Sequence, residues 1–452
     1  MTTAIVWFRK DLRLRDNPAW IDATRRFETV VPAFVVDPWL WDRCASPRVR
    51  MLAANLRALD TGLGAHGGRL LVEQGNPTAV IAGLVDRFRA DEVIVNADVS
   101  PYAGRRDAET ADRVPLTRHW GTLVHAPGSI LTGTGTRYHV FTPFSRRWFE
   151  TGFPVFDDPG RAAVTDHPGI GVPDPGGAPM AGGELAAWER LESFAARVDR
   201  YPDERDRPDL DTTSRLSVDL KYGTISPTAA ALYLGTATEG RRAFVRQLAW
   251  RDFYAHLMDE RPDTVDQPMR TEYRGISWRD DPQGFEAWAT GQTGYPIVDA
   301  GMRQLSAEGW MHNRVRMITA SFLVKDLLID WRRGERFFRR RLLDGDIPQN
   351  VGNWQWTAGT GADAAPYFRI FNPVTQSQRF DPDGGYIRRW IPELTDVPNR
   401  WIHAPWLAAP LDLAEAGVIL GDSYPAPIVD HALARERTLD AYKRALASHE
   451  GG

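Results

Sequence analysis

Residues 4–8 read AIVWF: five apolar residues in a row, closed at once by the charged run RKDLRLRD at 9–16. A run this short, with β-branched and aromatic types in it, reads as a strand buried on both faces rather than as a helix. Three runs of the same kind follow: VVPAFVV at 30–36, RLLVE at 69–73 and EVIVN at 92–96. Between them, 48–63 and 78–90 carry the spacing of amphipathic helices. Strands that alternate with helices are joined by crossovers, and crossovers make strands parallel. Residues 1–130 are therefore expected to form an α/β domain. No GxGxxG follows the first strand, so the dinucleotide fingerprint is absent there.

The pattern changes further on. Residues 157–183, DDPGRAAVTDHPGIGVPDPGGAPMAGG, are rich in Pro and Gly and read as the centre of a linker spanning 131–200. Beyond about residue 185 the strand signals stop. Segments 185–200, 227–235, 240–260, 284–290, 297–308, 311–331 and 335–343 read as helices, which makes 201–452 an all-helical domain.

Composition narrows the class. No apolar run is long enough to span a bilayer, and MTTAIVWFRKDLRLRD lacks the build of a signal peptide. A single cysteine, Cys44, excludes an intramolecular disulfide. A cytoplasmic protein is expected, with no membrane partner. The net charge of −4 does not suggest a nucleic-acid partner. Of the 55 basic residues, however, only Lys10, Lys221, Lys325 and Lys443 are lysines, and the other 51 are arginines. A GC-rich genome accounts for such a bias; phosphate recognition by arginine is the functional alternative. The 17 tryptophans are less easily explained by base composition.

Polar groups interrupt the helical half at four places. TTSRLS at 212–217 sets hydroxyls on both sides of Arg215, as a helix N-cap or as a cradle for phosphate. In FVRQLAWRDFY at 244–254, Gln247, Trp250, Arg251 and Tyr254 share one side of a helix, a poor core face that suits a flat, hydrogen-bonding ligand. In GWMHNRVRMITASFLVKDLLIDW at 309–331, Met311, Val315, Ile318 and Phe322 can anchor a helix. Asn313, Arg316 and Met317 share another face of it, and polar groups there are costly to bury unless something meets them. Trp310 and Trp331 are also consistent with plain core burial. Finally, DGDIPQNVGNWQW at 344–356 collects acids, amides and indoles where Pro348 and Gly352 argue for a loop.

Taken in order, WFRKDLRLRDNPAW, TSRLS, WRDFY, TGYPIVDAGMRQL, GWMHNRVRMITASFLVKDLLIDWR, DGD…N…NWQW and APYFRIFNP resemble the photolyase/cryptochrome family. Within it they resemble the microbial class I cyclobutane pyrimidine dimer (CPD) photolyases. The resemblance is strong from 201 to 400, moderate over the first 130 residues and absent in the linker. It implies a five-stranded parallel sheet, a helical FAD-binding domain, and light-driven repair of UV-damaged DNA containing pyrimidine dimers. It implies a monomer with no obligate protein partner and no metal.

Carried over residue by residue, the resemblance makes Tyr201, Thr213, Ser214, Arg215, Leu216 and Ser217 holders of the FAD phosphates. Arg251, Asn313 and Arg316 would flank the flavin, and Asp344, Gly345 and Asp346 would meet the nucleotide. Arg316 with Asp344 resembles the salt bridge over the isoalloxazine. Asn350 would face flavin N5 and support the reduced anionic form that repair needs. Photolyases flip their damaged bases out of the duplex. The pocket for the dimer would be walled by Trp250 and Trp356, with Gln247, Asn313 and Met317 at its edges. Arg205, Arg251, Arg314, Arg369 and Gln376 would contact DNA. Trp354, Trp331 and Trp278 match the family's electron-hopping chain.

Two departures bear on substrate and antenna. Gln247 stands where well-known class I enzymes have glutamate, which leaves (6-4) photoproduct repair as an alternative. The (6-4) enzymes use two histidines four residues apart, and the matching positions here are Asn313 and Met317, which favours CPDs. The antenna motif of folate-binding relatives is replaced by Tyr102 and Ala103, and NADVSPYAGRRD at 96–107 looks more like the 8-hydroxy-5-deazaflavin type than the methenyltetrahydrofolate type. Asp98 is its candidate ring contact, with Asp37, Arg48 and Arg106 as further candidates. A cryptochrome-like light receptor is the alternative from another class. A redox flavoprotein unrelated to light would leave Trp250, Trp356 and the arginines unexplained.

Overall fold

In the computed structural model, which describes residues 1–450, AIVWF lies within strand β1 (Thr3–Phe8) at the middle of a sheet. β2 (Thr29–Val36) and then β3 (Leu71–Gln74) lie to one side; β4 (Glu92–Asn96) and then β5 (Leu116–His119) lie to the other. The order β3-β2-β1-β4-β5 is parallel throughout, with Thr3 opposite Thr29, Ala4 opposite Glu92, Ala33 opposite Leu71 and Val93 opposite Leu116. Helices cross between the strands, and Ala4 to Phe8 are buried accordingly. The fifth strand carries no apolar run because it is a half-exposed edge, LTRH.

The segment 157–183 does more than connect. Ala163 and Val164 form β6, which pairs with Thr29 and Val30 of β2. β3 begins its pairing with β2 only at Ala33. Pro32, which has no N–H to give a ladder, falls in the gap between these two partners. Farther along, Gly169 bridges to Val72 at φ +61, where a Cβ would drive into the Val72 carbonyl.

The chain forms two compact units. The first comprises Met1–Pro202, Ser214–Val265 and Leu343–Pro348; the second comprises Asp203–Thr213, Asp266–Leu342 and the chain from Gln349 onward. The long helix Glu239–Glu260 belongs to the first. The second is built from helices, including Pro282–Thr290, Pro296–Glu308, Asn313–Ser321, Trp331–Arg341, Pro373–Phe380 and His431–Glu450. No described helix is long and apolar enough to cross a membrane.

Two expectations are corrected. Residues 344–356 are loop only as far as Asp346: Ile347–Ala358 is a helix. Pro348 sits in its first turn, where no N–H is needed, and Gly352 costs only propensity. Conversely, 311–331 is not one helix. Asn313–Ser321 passes into a π-helical turn, Phe322–Asp326, and the chain reverses at Leu328 with φ +54 before Trp331–Arg341 begins. Asp330 caps that helix by accepting the Arg332 N–H at 2.9 Å. The helix read as 335–343 accordingly starts at Trp331.

Candidate functional site

The parallel sheet reverses its winding between β1 and β4, and the crevice at their carboxyl ends is where open α/β sheets bind ligands. Lys10 follows β1 there, and Asp98 follows β4. The Lys10 ammonium lies 2.7 Å from both Asp98 and Asp346, and Lys221 lies 4.0 Å from Asp346. Burial penalises all four charges, and pairing outweighs it at Lys10, Asp98 and Asp346 but not at Lys221. The two carboxylates outweigh burial and raise the Lys10 pKa. Asp98 and Asp346 are raised by burial, yet fall below the ordinary carboxylate range because lysine faces them. Lys221 is brought down to about 7, first by burial and then by Lys10. Arg48 donates to the Gly345 carbonyl at 3.4 Å. Two antenna candidates, Asp98 and Arg48, thus join the loop carrying Asp344, Gly345 and Asp346. Composition had marked Lys10 and Lys221 as two of only four lysines, but nothing in the sequence placed them at a site.

The hydroxyl loop does not cap a helix. Ser217–Tyr222 begins after Leu216 with no side-chain cap. The Oγ1 atoms of Thr212 and Thr213 are buried with no hydrogen-bond partner among the described residues. Ser214 accepts the Leu216 N–H at 3.3 Å, and Arg215 sits at φ +54. Buried hydroxyls left without partners are costly unless a ligand meets them. Such hydroxyls fit a phosphate-bearing group such as that of FAD. Tyr201 packs edge-on against Phe194 and Phe244, which fixes its ring.

On the helix Glu239–Glu260 the mixed stripe is partly satisfied from within. Arg251 donates to the carbonyls of Thr122 and Leu220, the latter at 3.2 Å. Gln247 donates to the Ala243 carbonyl at 2.9 Å. Trp250 is half-buried and stacked on Phe141 at 3.5 Å between ring centroids, so one indole face is already covered. Asp252, next to Arg251, accepts from the backbone of Val124 and His125 and from the Trp148 indole.

In the second unit, buried Asn350 donates from Nδ2 to both the carbonyl and the carboxylate of Glu335, each at 2.9 Å. Both partners can only accept, so the amide orientation follows and Oδ1 is its remaining polar atom. Four residues on, Trp354 is 2 % exposed and packs against Phe338 and Trp288. Gly334 makes room for it: a Cβ there would lie 2.6 Å from Trp354 Cζ3 and 2.5 Å from Leu323 Cδ2. Trp356, two residues further, is half-buried. Trp331 is fully buried, and its N–H has no partner among the described residues. Trp278 stands edge-on to Tyr442 at 6.2 Å. Glu335 and Gly334 were missed in the sequence; an isolated Gly inside a helical pattern was the available signal for the latter.

The remaining candidates of this unit lie at the start of Asn313–Ser321 and in neighbouring loops. Exposed Asn313 reaches the Met317 sulfur at 3.8 Å. Arg314 pairs with Asp206 at 2.8 Å and lies over Phe380; Arg205 lies 4.0 Å from the same Asp206. Arg316 donates to the Met311 carbonyl at 2.7 Å. Arg369 is exposed, and Gln376 is half-exposed on Pro373–Phe380. In the first unit, Asp37 accepts from the Tyr102 hydroxyl, Tyr102 stacks on Trp39, and Arg106 lies over Trp7 and Tyr102.

Residues 4–160 match the family model described as DNA photolyase, and residues 244–444 match that described as the FAD binding domain of DNA photolyase. The chain belongs to the DNA photolyase family. It is 42% identical to the deoxyribodipyrimidine photo-lyase of Salmonella typhimurium over 98% of this chain and 99% of that one. Among solved structures it is similar to a class III photolyase of Agrobacterium tumefaciens, at TM-score 0.91 and 38% identity, with 98% of each chain covered. A Synechocystis cryptochrome aligns with TM-score 0.91 at 28% identity, over 98% of this chain and 99% of that one. A Sulfolobus tokodaii photolyase described with two FAD molecules aligns with TM-score 0.86 at 33% identity, over 98% of this chain and all of that one (100%).

Proposed function

We propose that this chain is a light-driven lyase that splits cyclobutane pyrimidine dimers in DNA, of the class I type within its family, acting as a cytoplasmic monomer. The observation that carries the proposal is the fixed amide of Asn350. With Nδ2 held by Glu335, only a carbonyl oxygen is left to a ligand, and an acceptor there favours a flavin ring that carries a hydrogen on N5. FAD in its reduced anionic form supplies, when excited, the electron that opens the dimer and then takes it back.

The protein's own residues bind and position. Thr213, Ser214, Arg215, Leu216, Ser217 and Tyr201 would hold the phosphates; Arg251, Asn313, Arg316, Asp344, Gly345 and Asp346 would hold the rest of FAD. Lys10 keeps Asp346 ionised and in place. Trp250, backed by Phe141, and Trp356 would clasp the flipped dimer between indole faces. Gln247, Asn313 and Met317 would line the edges, and Arg205, Arg314, Arg369 and Gln376 would meet the strand. Trp354, Trp331 and Trp278 would relay electrons to the surface. Trp331, with no acceptor for its N–H among the described residues, is suited to pass charge on rather than to trap it by losing a proton.

For the antenna, the reading is an 8-hydroxy-5-deazaflavin near Asp37, Arg48, Asp98 and Arg106. The test is the absorption spectrum of protein purified from its own host: a long-wavelength deazaflavin band supports it, and a folate spectrum or a second equivalent of FAD overturns it. The repair reading is tested by illuminating the reduced holoenzyme with a CPD oligonucleotide and, separately, a (6-4) oligonucleotide. Restoration of the first alone is expected; restoration of the second alone replaces CPD repair with (6-4) repair.

A further inference from the structure

Lys325 is 1 % exposed, on the π-helical turn Phe322–Asp326. Its pKa is pushed down to about 7 by burial alone. A buried ammonium is expensive, so what it holds is informative. The Nζ donates to the Ala358 carbonyl at 2.9 Å and to the Tyr367 carbonyl at 3.4 Å, and lies 3.8 Å over the Tyr442 ring. Ala358 ends the helix that carries Asn350, Trp354 and Trp356, and a cation is favourable at that helix end. Tyr367 lies in the loop that follows, which runs to Asn372 before the helix Pro373–Phe380. The two carbonyls that Lys325 grips therefore tie the start of that loop to its later part.

That loop has its own fastenings and its own exposed tip. Ala365 donates back to the Trp356 carbonyl at 3.3 Å, and Tyr367 stacks on Tyr442 at 5.9 Å. Tyr442 in turn donates to the Ala358 carbonyl at 2.6 Å. Beyond this clamp stand Phe368, 60 % exposed, and Arg369, also exposed. An exposed aromatic beside an exposed arginine suits a nucleic-acid strand, with the ring for a base and the guanidinium for a phosphate.

We infer that Lys325 is a positioning residue for damaged DNA: by clamping Ala358 to Tyr367 it sets loop 359–371 against Trp356, so that Phe368 and Arg369 meet the strand beside the dimer. Lys325 itself touches neither flavin nor substrate. The inference rests on the repair reading only for the identity of the ligand.

The test uses the FAD holoenzyme with Lys325→Met, and Lys325→Gln as the variant that can still donate to a carbonyl should the first fail to fold. Amide exchange over 359–371 without DNA should quicken, while FAD content and flavin absorption stay as in the wild type. Dark affinity for a CPD oligonucleotide should weaken roughly tenfold, the cost of ordering a loosened loop on binding. Repair at saturating DNA should be retained. Lys325→Met combined with Arg369→Ala should lose less affinity than the two single losses together, because the loop is already loose. Unchanged exchange, unchanged affinity or full additivity in a folded variant overturns the inference. If exchange quickens but the wild type itself does not prefer CPD DNA, the repair reading fails and the clamp stands.

Discussion

Replacing Gly334 by Ala sets two effects of opposite sign against each other. Within the helix Trp331–Arg341, alanine is intrinsically better than glycine by about 1 kcal/mol. The new Cβ, however, would stand 2.2 Å from Trp354 Cη2 and 2.5 Å from Leu323 Cδ2, about 1 Å or more inside ordinary contact. Neither neighbour can shift without cost. Trp354 is 2 % exposed and wedged between Phe338 and Trp288, and Leu323 is fully buried. Overpacking of this kind costs about 1–3 kcal/mol, so after the propensity gain of about 1 kcal/mol Gly334→Ala should destabilise by a net of up to about 2 kcal/mol. Denaturant unfolding of the FAD-bound protein measures this. Because the indole must tilt, light-driven reduction of oxidised flavin should slow as well. A variant more stable than wild type by about 1 kcal/mol, the propensity gain alone, would show that the space is larger than described and refute the reasoning.

Other substitutions separate the roles assigned to neighbouring residues. Trp354→Phe should impair photoreduction but spare repair by pre-reduced enzyme, whereas Trp356→Ala should weaken dimer binding and leave photoreduction intact; the reverse pattern exchanges the two roles. Glu335→Ala removes one of the two acceptors of Asn350 Nδ2, leaving the backbone carbonyl, and so should loosen the amide at a cost of about 1–3 kcal/mol for the lost bond and make the reduced flavin reoxidise faster in air, read as the decay of its absorption. Gln247 cannot titrate, so Gln247→Glu should add a pH dependence to CPD repair that the wild type lacks at this position. The folded pKa of Lys325, about 7, lies below its unfolded value near 10.5, so between these two pH values the unfolded chain holds the proton that the native chain has released. Stability relative to Lys325→Met should therefore rise with pH across that window by up to roughly 1.4 kcal/mol per unit, measured by unfolding at fixed salt; a flat difference would mean the amine is not desolvated.

The α/β half was readable because its strands are buried on both faces and so write unbroken apolar runs. Only the edge strand at 116–119 and the two-residue β6 escaped, since neither is apolar enough to mark itself. Pro348 and Gly352 misled because a breaker's meaning depends on where in a helix it falls: proline in the first turn breaks nothing. Trp354 and Trp356, two apart in this helix, point to nearly opposite sides. The break at 322–330 is marked by no glycine or proline, since apolar residues run through it and Leu328 takes a left-handed conformation without glycine. What could have flagged it was Lys325 and Asp326, two charges in the middle of an otherwise apolar stretch, both now buried. The network of Lys10, Asp98, Lys221 and Asp346 joins residues far apart in sequence, a juxtaposition that periodicity cannot carry.

The central claim is that this chain repairs DNA with light, and not that it only senses light. The direct measurement is restoration of a CPD-containing oligonucleotide by holoenzyme with fully reduced FAD, illuminated and in a matched dark control. Loss of the dimer in the light and none in the dark is expected. A folded protein holding fully reduced FAD that leaves the dimer intact under light would contradict the account and turn it toward a cryptochrome-like receptor.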